Sequence, residues 1–228
     1  MIKNYLRGFG ALFLAIVPLF AATPAQAAQA PQSQRAAEVT TLADAVGLVT
    51  VVDEDRTGYT RSSFRHWNSG DLADGCNTRN EVLLAEAVTA PAVAPGCKLT
   101  GGSWLSYYDG QEVTDPGALD IDHMVPLAEA WDSGASAWAA ARREAYANDQ
   151  GAAASLVAVT ARTNRQKADQ DPAQWLPPAP DAQCRYVGEW VATKLRWQLT
   201  VDATELEALK VVAEGPCEDS IVSYTPAP

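Results

Sequence analysis

Between Ala118 and Asp169 the side-chain pattern changes from alternating to helical, then to a short apolar run, then back to helical. This order restricts the fold more than any other feature of the chain. Ala118-Leu119-Asp120-Ile121-Asp122-His123-Met124-Val125 alternates with the period of a strand until Pro126 stops it. Residues 127–132 and 136–147 have helical character, with a break at Ser133-Gly134. Leu156-Val157-Ala158-Val159-Thr160 reads as a strand, and Thr163-Asn164-Arg165-Gln166-Lys167 opens a polar helix with Thr163 as its cap.

The flanking segments add a mixed set of elements. Residues 39–52 read as a helix entering a strand at Val49, Val51 and Val52. Trp104–Tyr108 and Gln111–Thr114 read as two strands joined by an Asp109-Gly110 turn. Helices are expected over 183–198 and 203–213, the second with Thr204 and Glu207 near its start. With no internal repeat and no long interior linker, the expectation is a single α+β domain over 39–228 with a helical C-terminal part.

Lys3 and Arg7, the uncharged apolar run Gly8–Ala22 and the Ala25-x-Ala27 pattern have the form of a cleaved export signal over residues 1–27. The apolar run is too short for a spanning helix, so a secreted, soluble product is expected. Residues 28–38, rich in Ala, Gln, Ser and Pro, read as a mobile leader. Export makes the four cysteines disulfide candidates. Of three connectivities, Cys76–Cys97 with Cys184–Cys217 is favoured because each pair staples one local segment. Without a Cys-x-x-Cys pair, thiolate ligation of zinc has no support in the spacing.

Charge narrows the partners. The formal net charge is −11, from 17 Lys and Arg against 28 Asp and Glu. Losing Lys3 and Arg7 on export makes it −13. That excludes a broad basic surface coating nucleic acid but leaves room for a compact site that handles one phosphate, with salt-sensitive affinity. Residues 142–167 carry Arg142, Arg143, Arg162, Arg165 and Lys167 against Glu144 and Asp149, a local excess of three positive charges. With only His66 and His123, a metal site of three or four histidines is excluded.

The pattern from 118 to 169 suits phosphodiester chemistry. A carboxylate and an Asn amide oxygen are hard ligands appropriate to Mg²⁺ rather than zinc. A cation there offsets charge on the scissile phosphate and the leaving oxygen, and a neutral imidazole takes a proton from the attacking water. Lys167 follows Asn164 by three residues, so both share a helix face. Asp122 and His123 are neighbours on a strand and would point to opposite faces of an ideal one. His66, between Arg65 and Trp67, reads as structural. Arg79 and Glu81 fit either a buried ion pair or support behind the site. The seven tryptophans read as core packing.

Leu119-Asp120-Ile121-Asp122-His123-Met124-Val125-Pro126-Leu127, a following strand and Asn164-Arg165-Gln166-Lys167-Ala168-Asp169 together resemble the HNH, or ββα-metal, nucleases. The nearest branch is the secreted bacterial HNH proteins of the GmrSD type. Gly75–Leu83, Tyr146–Asp149 and Asp171–Pro178 share in the resemblance, which covers most of residues 59–217. It implies a ββα core with the first strand ending at Asp122-His123, the second at 156–160 and the helix near 163. It implies His123 as general base and Asp122 and Asn164 as ligands of a divalent cation, Mg²⁺ before Mn²⁺ and Zn²⁺. Arg165 and Lys167 would contact the phosphodiester backbone of a nucleic acid, DNA before RNA. The middle Asn of the family pattern precedes the second strand in the HNH domain of CRISPR-guided nucleases. Ser155 stands there in this chain, with Asn148 upstream as a supporting residue. A hydrolase of other phosphodiesters, or a non-catalytic secreted binding protein on this fold, are the competing readings.

Overall fold

The computed structural model describes residues 36–70 and 74–228. The expected export segment, and the leader as far as residue 35, lie outside the described residues. In chain order the elements are β1 (Glu38–Thr41), α1 (Leu42–Leu48), α2 (Thr78–Ala85), β2 (Ala92–Ala94), β3 (Lys98–Thr100), β4 (Trp104–Ser106), β5 (Gln111–Val113) and β6 (Leu119–His123). There follow α3 (Leu127–Asp132), α4 (Ala140–Ala147), β7 (Leu156–Thr160), α5 (Ala161–Lys167), α6 (Pro180–Trp197), α7 (Ala203–Ala213) and β8 (Ile221–Tyr224). The fold is α+β. Among the described residues the strands form four two-stranded antiparallel sheets, β1–β8, β2–β3, β4–β5 and β6–β7. No described helix is long and apolar enough to cross a membrane.

The centre is the β6–β7 pair with α5 following directly on β7. Register sets Ile121 opposite Ala158 and Asp122 opposite Val157. Both faces of the sheet are covered, which is why Leu156–Val159 are all buried. Leu119, Ile121, Leu156 and Ala158 join Val82, Leu83 and Trp104 in one apolar cluster. Val157 and Val159 join the larger cluster built by Tyr108, Met124, Tyr186 and Trp190.

Several local expectations shift by identifiable causes. A strand precedes the first helix instead of following it, because β1 pairs with β8 at the chain's far end; Val51 makes a single bridge to Val201. Pairing starts at Glu38, the last residue of the expected leader. The hairpin after Trp104 is shorter, with Ser106 opposite Gln111. Helix α5 starts earlier than expected. Its cap is Thr160, whose hydroxyl accepts from the Thr163 N–H, and Thr163 is buried inside the first turn. Asp202 caps α7 by accepting from the Glu205 N–H at 2.6 Å.

Both disulfides are present as Cys76–Cys97 and Cys184–Cys217, closing 21 and 33 residues. Bridges of this span contribute about 3–4 kcal/mol each in the loop-entropy account. The first ties the start of α2 to the β2–β3 hairpin, and the second ties α6 to the segment after α7.

The helical part is fastened by one buried cation. Lys194 Nζ donates to Glu129 Oε1 at 2.7 Å, Ser133 Oγ at 2.8 Å, Thr200 O at 2.7 Å and Glu205 Oε2 at 2.9 Å. Burial pulls this lysine's pKa down, but Glu205 and Glu129 hold it above the ordinary value. Lys194→Met strands two carboxylates in the interior. It is expected to cost about 3–5 kcal/mol, read as a lowered urea midpoint. A variant within about 1 kcal/mol of wild type would contradict this role.

Candidate active site

A cavity of about 500 Å³ is walled by Asp122 and His123 at the end of β6, Asn164 and Arg165 on α5, and Tyr59 and Arg61 from the segment before α2. Cavities of about 600 and 650 Å³ occur elsewhere, beside α6 and β8 and beside α7. Neither collects a comparable set of donors, so chemistry rather than size singles out the first.

The strand register explains how α5 docks. Asp120 and Asp122 are two apart on β6 and share one sheet face; Asn164 and Lys167 are three apart on α5 and share one helix face. The pairs meet in order. Asn164 Nδ2 donates to Asp120 Oδ2 at 3.1 Å, and Lys167 Nζ donates to Asp122 Oδ2 at 2.5 Å. Because Asp120 only accepts, it fixes the amide so that Asn164 Oδ1 is left for another partner. Tyr108 O–H also donates to Asp122 Oδ2 at 2.7 Å. Both bonds fall on one oxygen, and no described protein group donates to the other, Oδ1. Asp122 and Asn164 can each therefore offer one hard oxygen to a cation.

Lys167 does not contact solvent. It is fully buried, and its Nζ also donates to the carbonyls of His123 at 2.9 Å and Met124 at 2.8 Å. The expected phosphate contact is thus corrected: the side chain turns inward to meet Asp122, leaving Arg165 as the basic group of this helix at the cavity. Burial pushes Asp122 up and Lys167 down from their usual pKa values, each opposed by the other's charge. Three acceptors around Nζ require all three N–H bonds of an ammonium, so the pair is ionic.

His123 is also buried, at 5% exposure. Its ring stacks on Trp67 with centroids 5.4 Å apart, and His66 meets it edge-on at 6.2 Å. Its Nε2 lies 2.9 Å from Ala147 O. A carbonyl can only accept, so Nε2 carries the proton and Nδ1 keeps its lone pair. Burial pushes the imidazole down to about 3; the Ala147 carbonyl opposes this, while His66, Arg61 and Lys167 add to it. The ring is therefore neutral near pH 7. The strand-parity difficulty is met by separate settings: Asp122 faces α5 and Tyr108, His123 faces Trp67 and Ala147, and both reach the same cavity wall.

The supporting residues lie elsewhere. Asn148 ends α4, with its Oδ1 accepting from Asn68 N and Thr78 Oγ1 and its Nδ2 donating to Arg65 O and Glu144 O. Such full use makes it a clamp between α4 and the segments around Asn68 and Thr78, not a cavity group. Ser155 Oγ donates to Asp149 and also stays outside. Arg79 donates to the carbonyls of Pro116 and Leu119, which sets the entry of β6. Glu81 accepts from Gln150 Nε2. The basic excess is likewise partly spent: Arg142 lies over Trp138 and Trp197, and Arg143 donates to carbonyls including Ser63 O and Ala135 O.

Sequence reasoning missed Asp120, Tyr108, Tyr59 and Arg61. Asp120 carried a signal, since it sits two residues before Asp122 on a strand. Tyr59 and Arg61 lie in a segment with no regular periodicity.

Residues 97–211 match the family described as GmrSD restriction endonucleases, C-terminal domain. That span contains Asp122, His123, Asn164, Arg165 and Lys167. The chain is also 38% identical over 188 residues to an uncharacterized secreted protein of Arthroderma benhamiae, covering 82% of this chain and 89% of that one. This relative is fungal, so it gives no support to a bacterial branch. No solved structure matches. The chain belongs to the family of GmrSD restriction endonuclease C-terminal domains.

Proposed function

We propose that the protein is an exported, divalent-cation-dependent endonuclease that hydrolyses phosphodiester bonds in nucleic acid, with DNA as the favoured substrate. The observation that carries this reading is the setting of His123. Its Nε2 is committed to Ala147, which leaves Nδ1 with a free lone pair, and the residue lines one cavity with the two hard oxygen donors Asp122 and Asn164. The family's description as restriction endonucleases favours DNA. Export is supported by the signal-like N-terminus, the two disulfides and the relative named as secreted.

In this mechanism His123 Nδ1 takes a proton from water. The resulting hydroxide oxygen bonds to phosphorus, and the bond to the leaving oxygen breaks; that oxygen leaves as an alcohol after gaining a proton from solvent. Asp122 and Asn164 would hold the cation, Mg²⁺ before Mn²⁺, which would offset charge on the phosphate and leaving oxygen. Asp120 orients Asn164, and Lys167 orients Asp122. Arg165 and Arg61, both exposed at the cavity, attract the phosphodiester backbone.

Supercoiled plasmid incubated with the protein and Mg²⁺ is expected to be nicked and linearised, and EDTA is expected to stop cleavage. A parallel panel of RNA and small diesters reads the substrate class. Cleavage undiminished by EDTA would overturn the cation's part in the reaction.

A further inference from the structure

We propose that Glu54, Glu129 and Asp132 form a second cation site, which takes a hard divalent ion of the calcium class and ties the segment before Arg56 to α3.

One carboxylate oxygen from each of the three residues lies within 4.8 Å of the others. None of the three lines the cavity that holds His123. Closeness of acids is common on surfaces, but two features separate this group. Asp132 is buried, its Oδ2 is taken by Arg56 Nε at 2.5 Å, and its Oδ1 is shut away from solvent without any hydrogen-bond partner. A buried carboxylate oxygen with no partner loses its hydration without replacement, so it calls for a ligand. Glu129 is likewise divided. Ser133 Oγ and Lys194 Nζ both donate to Oε1, and no described group donates to Oε2. Glu54 makes no hydrogen bond with the described residues.

Local charge points the same way. Glu54, Glu129, Asp132, Asp169 and Glu205 crowd together, while the ion pairs of this region are made by two cations, Arg56 and Lys194. A divalent ion among the first three carboxylates removes most of that excess. Calcium binds oxygen at about 2.3–2.6 Å and so bridges oxygens up to about 5 Å apart, whereas magnesium at about 2.0–2.1 Å demands a tighter octahedron. Carboxylates from a loop and a helix suit the more permissive ion, with water completing its shell.

The test is titration of the EDTA-stripped full chain with calcium chloride, followed by calorimetry and thermal unfolding. Wild type is expected to bind one ion at this site, besides any taken at Asp122 and Asn164, and to gain about 5 °C in Tm when calcium reaches about 100 times its Kd. Asn164→Ala, which alters the other cavity, is expected to keep both responses. Glu54→Gln, at an exposed position, is expected to lose the Tm shift and to bind at least about tenfold more weakly. Glu54→Lys supplies a fixed positive charge and is expected to unfold at a higher temperature than wild type in EDTA, with no response to calcium. A wild type indifferent to calcium would overturn the proposal, as would a Glu54→Gln response equal to wild type or one abolished by Asn164→Ala.

Discussion

Lys167→Met is expected to cost about 3–5 kcal/mol of stability and to remove cleavage as well. The substitution keeps the length of the side chain and its apolar stem, so packing against Tyr108, Tyr186 and Trp190 is largely retained; Nζ lies 5.7–5.8 Å from those ring centroids. What is lost is the ammonium and its three bonds. Asp122 is then a buried carboxylate held by Tyr108 alone. Burial already pushes its pKa up, and without Lys167 only the Tyr108 hydrogen bond opposes that push, so Asp122 is expected to take a proton. A neutral acid is a poor ligand for a hard cation, which couples the loss of stability to the loss of activity. The freed carbonyls of His123 and Met124 loosen the end of β6, where His123 sits. Urea denaturation measures the first effect and plasmid cleavage the second. In Lys167→Met/Asp122→Asn, stability is expected to recover in part while cleavage stays absent. A single variant as stable and as active as wild type would remove this ion pair from the account.

Some of this organisation was legible in the sequence. Strand character over 118–125, the apolar strand 156–160 and the helices 127–132 and 203–213 are legible locally, as is the pairing of cysteines that each staple one segment; the end of the first strand at His123 is legible only through the family resemblance. Long-range partners were not legible. Nothing local tells whether a lysine three residues after Asn164 faces water or a carboxylate 45 residues earlier, and Lys167 was misread for that reason. Thr163 and Thr160 are both competent helix caps, and only the end of the β7 ladder decides between them. The tryptophans were read as core, which holds for Trp104, Trp190 and Trp197. Trp67 instead stacks on His123, a role set by an aperiodic segment that only the fold brings to β6. The acidic total hides the same point: two exposed arginines at one cavity matter more to a phosphate than the sum over the chain.

His123 is proposed as the general base. Its ring is neutral, is held by Ala147, stacks on Trp67 and lines the cavity. General-base catalysis contributes about 10²–10⁴-fold, so His123→Ala is expected to lower the cleavage rate by that factor. The Ala147 carbonyl loses its donor, and a cavity opens beside Trp67, so folding has to be checked by thermal unfolding in the same preparation. The decisive measurement is the cleavage rate of supercoiled plasmid by wild type and folded His123→Ala side by side, with Mg²⁺ and with EDTA. Rapid Mg²⁺-dependent cleavage is expected of wild type, and a rate at least about 100-fold lower of the variant. Equal rates for the two would contradict that role for His123.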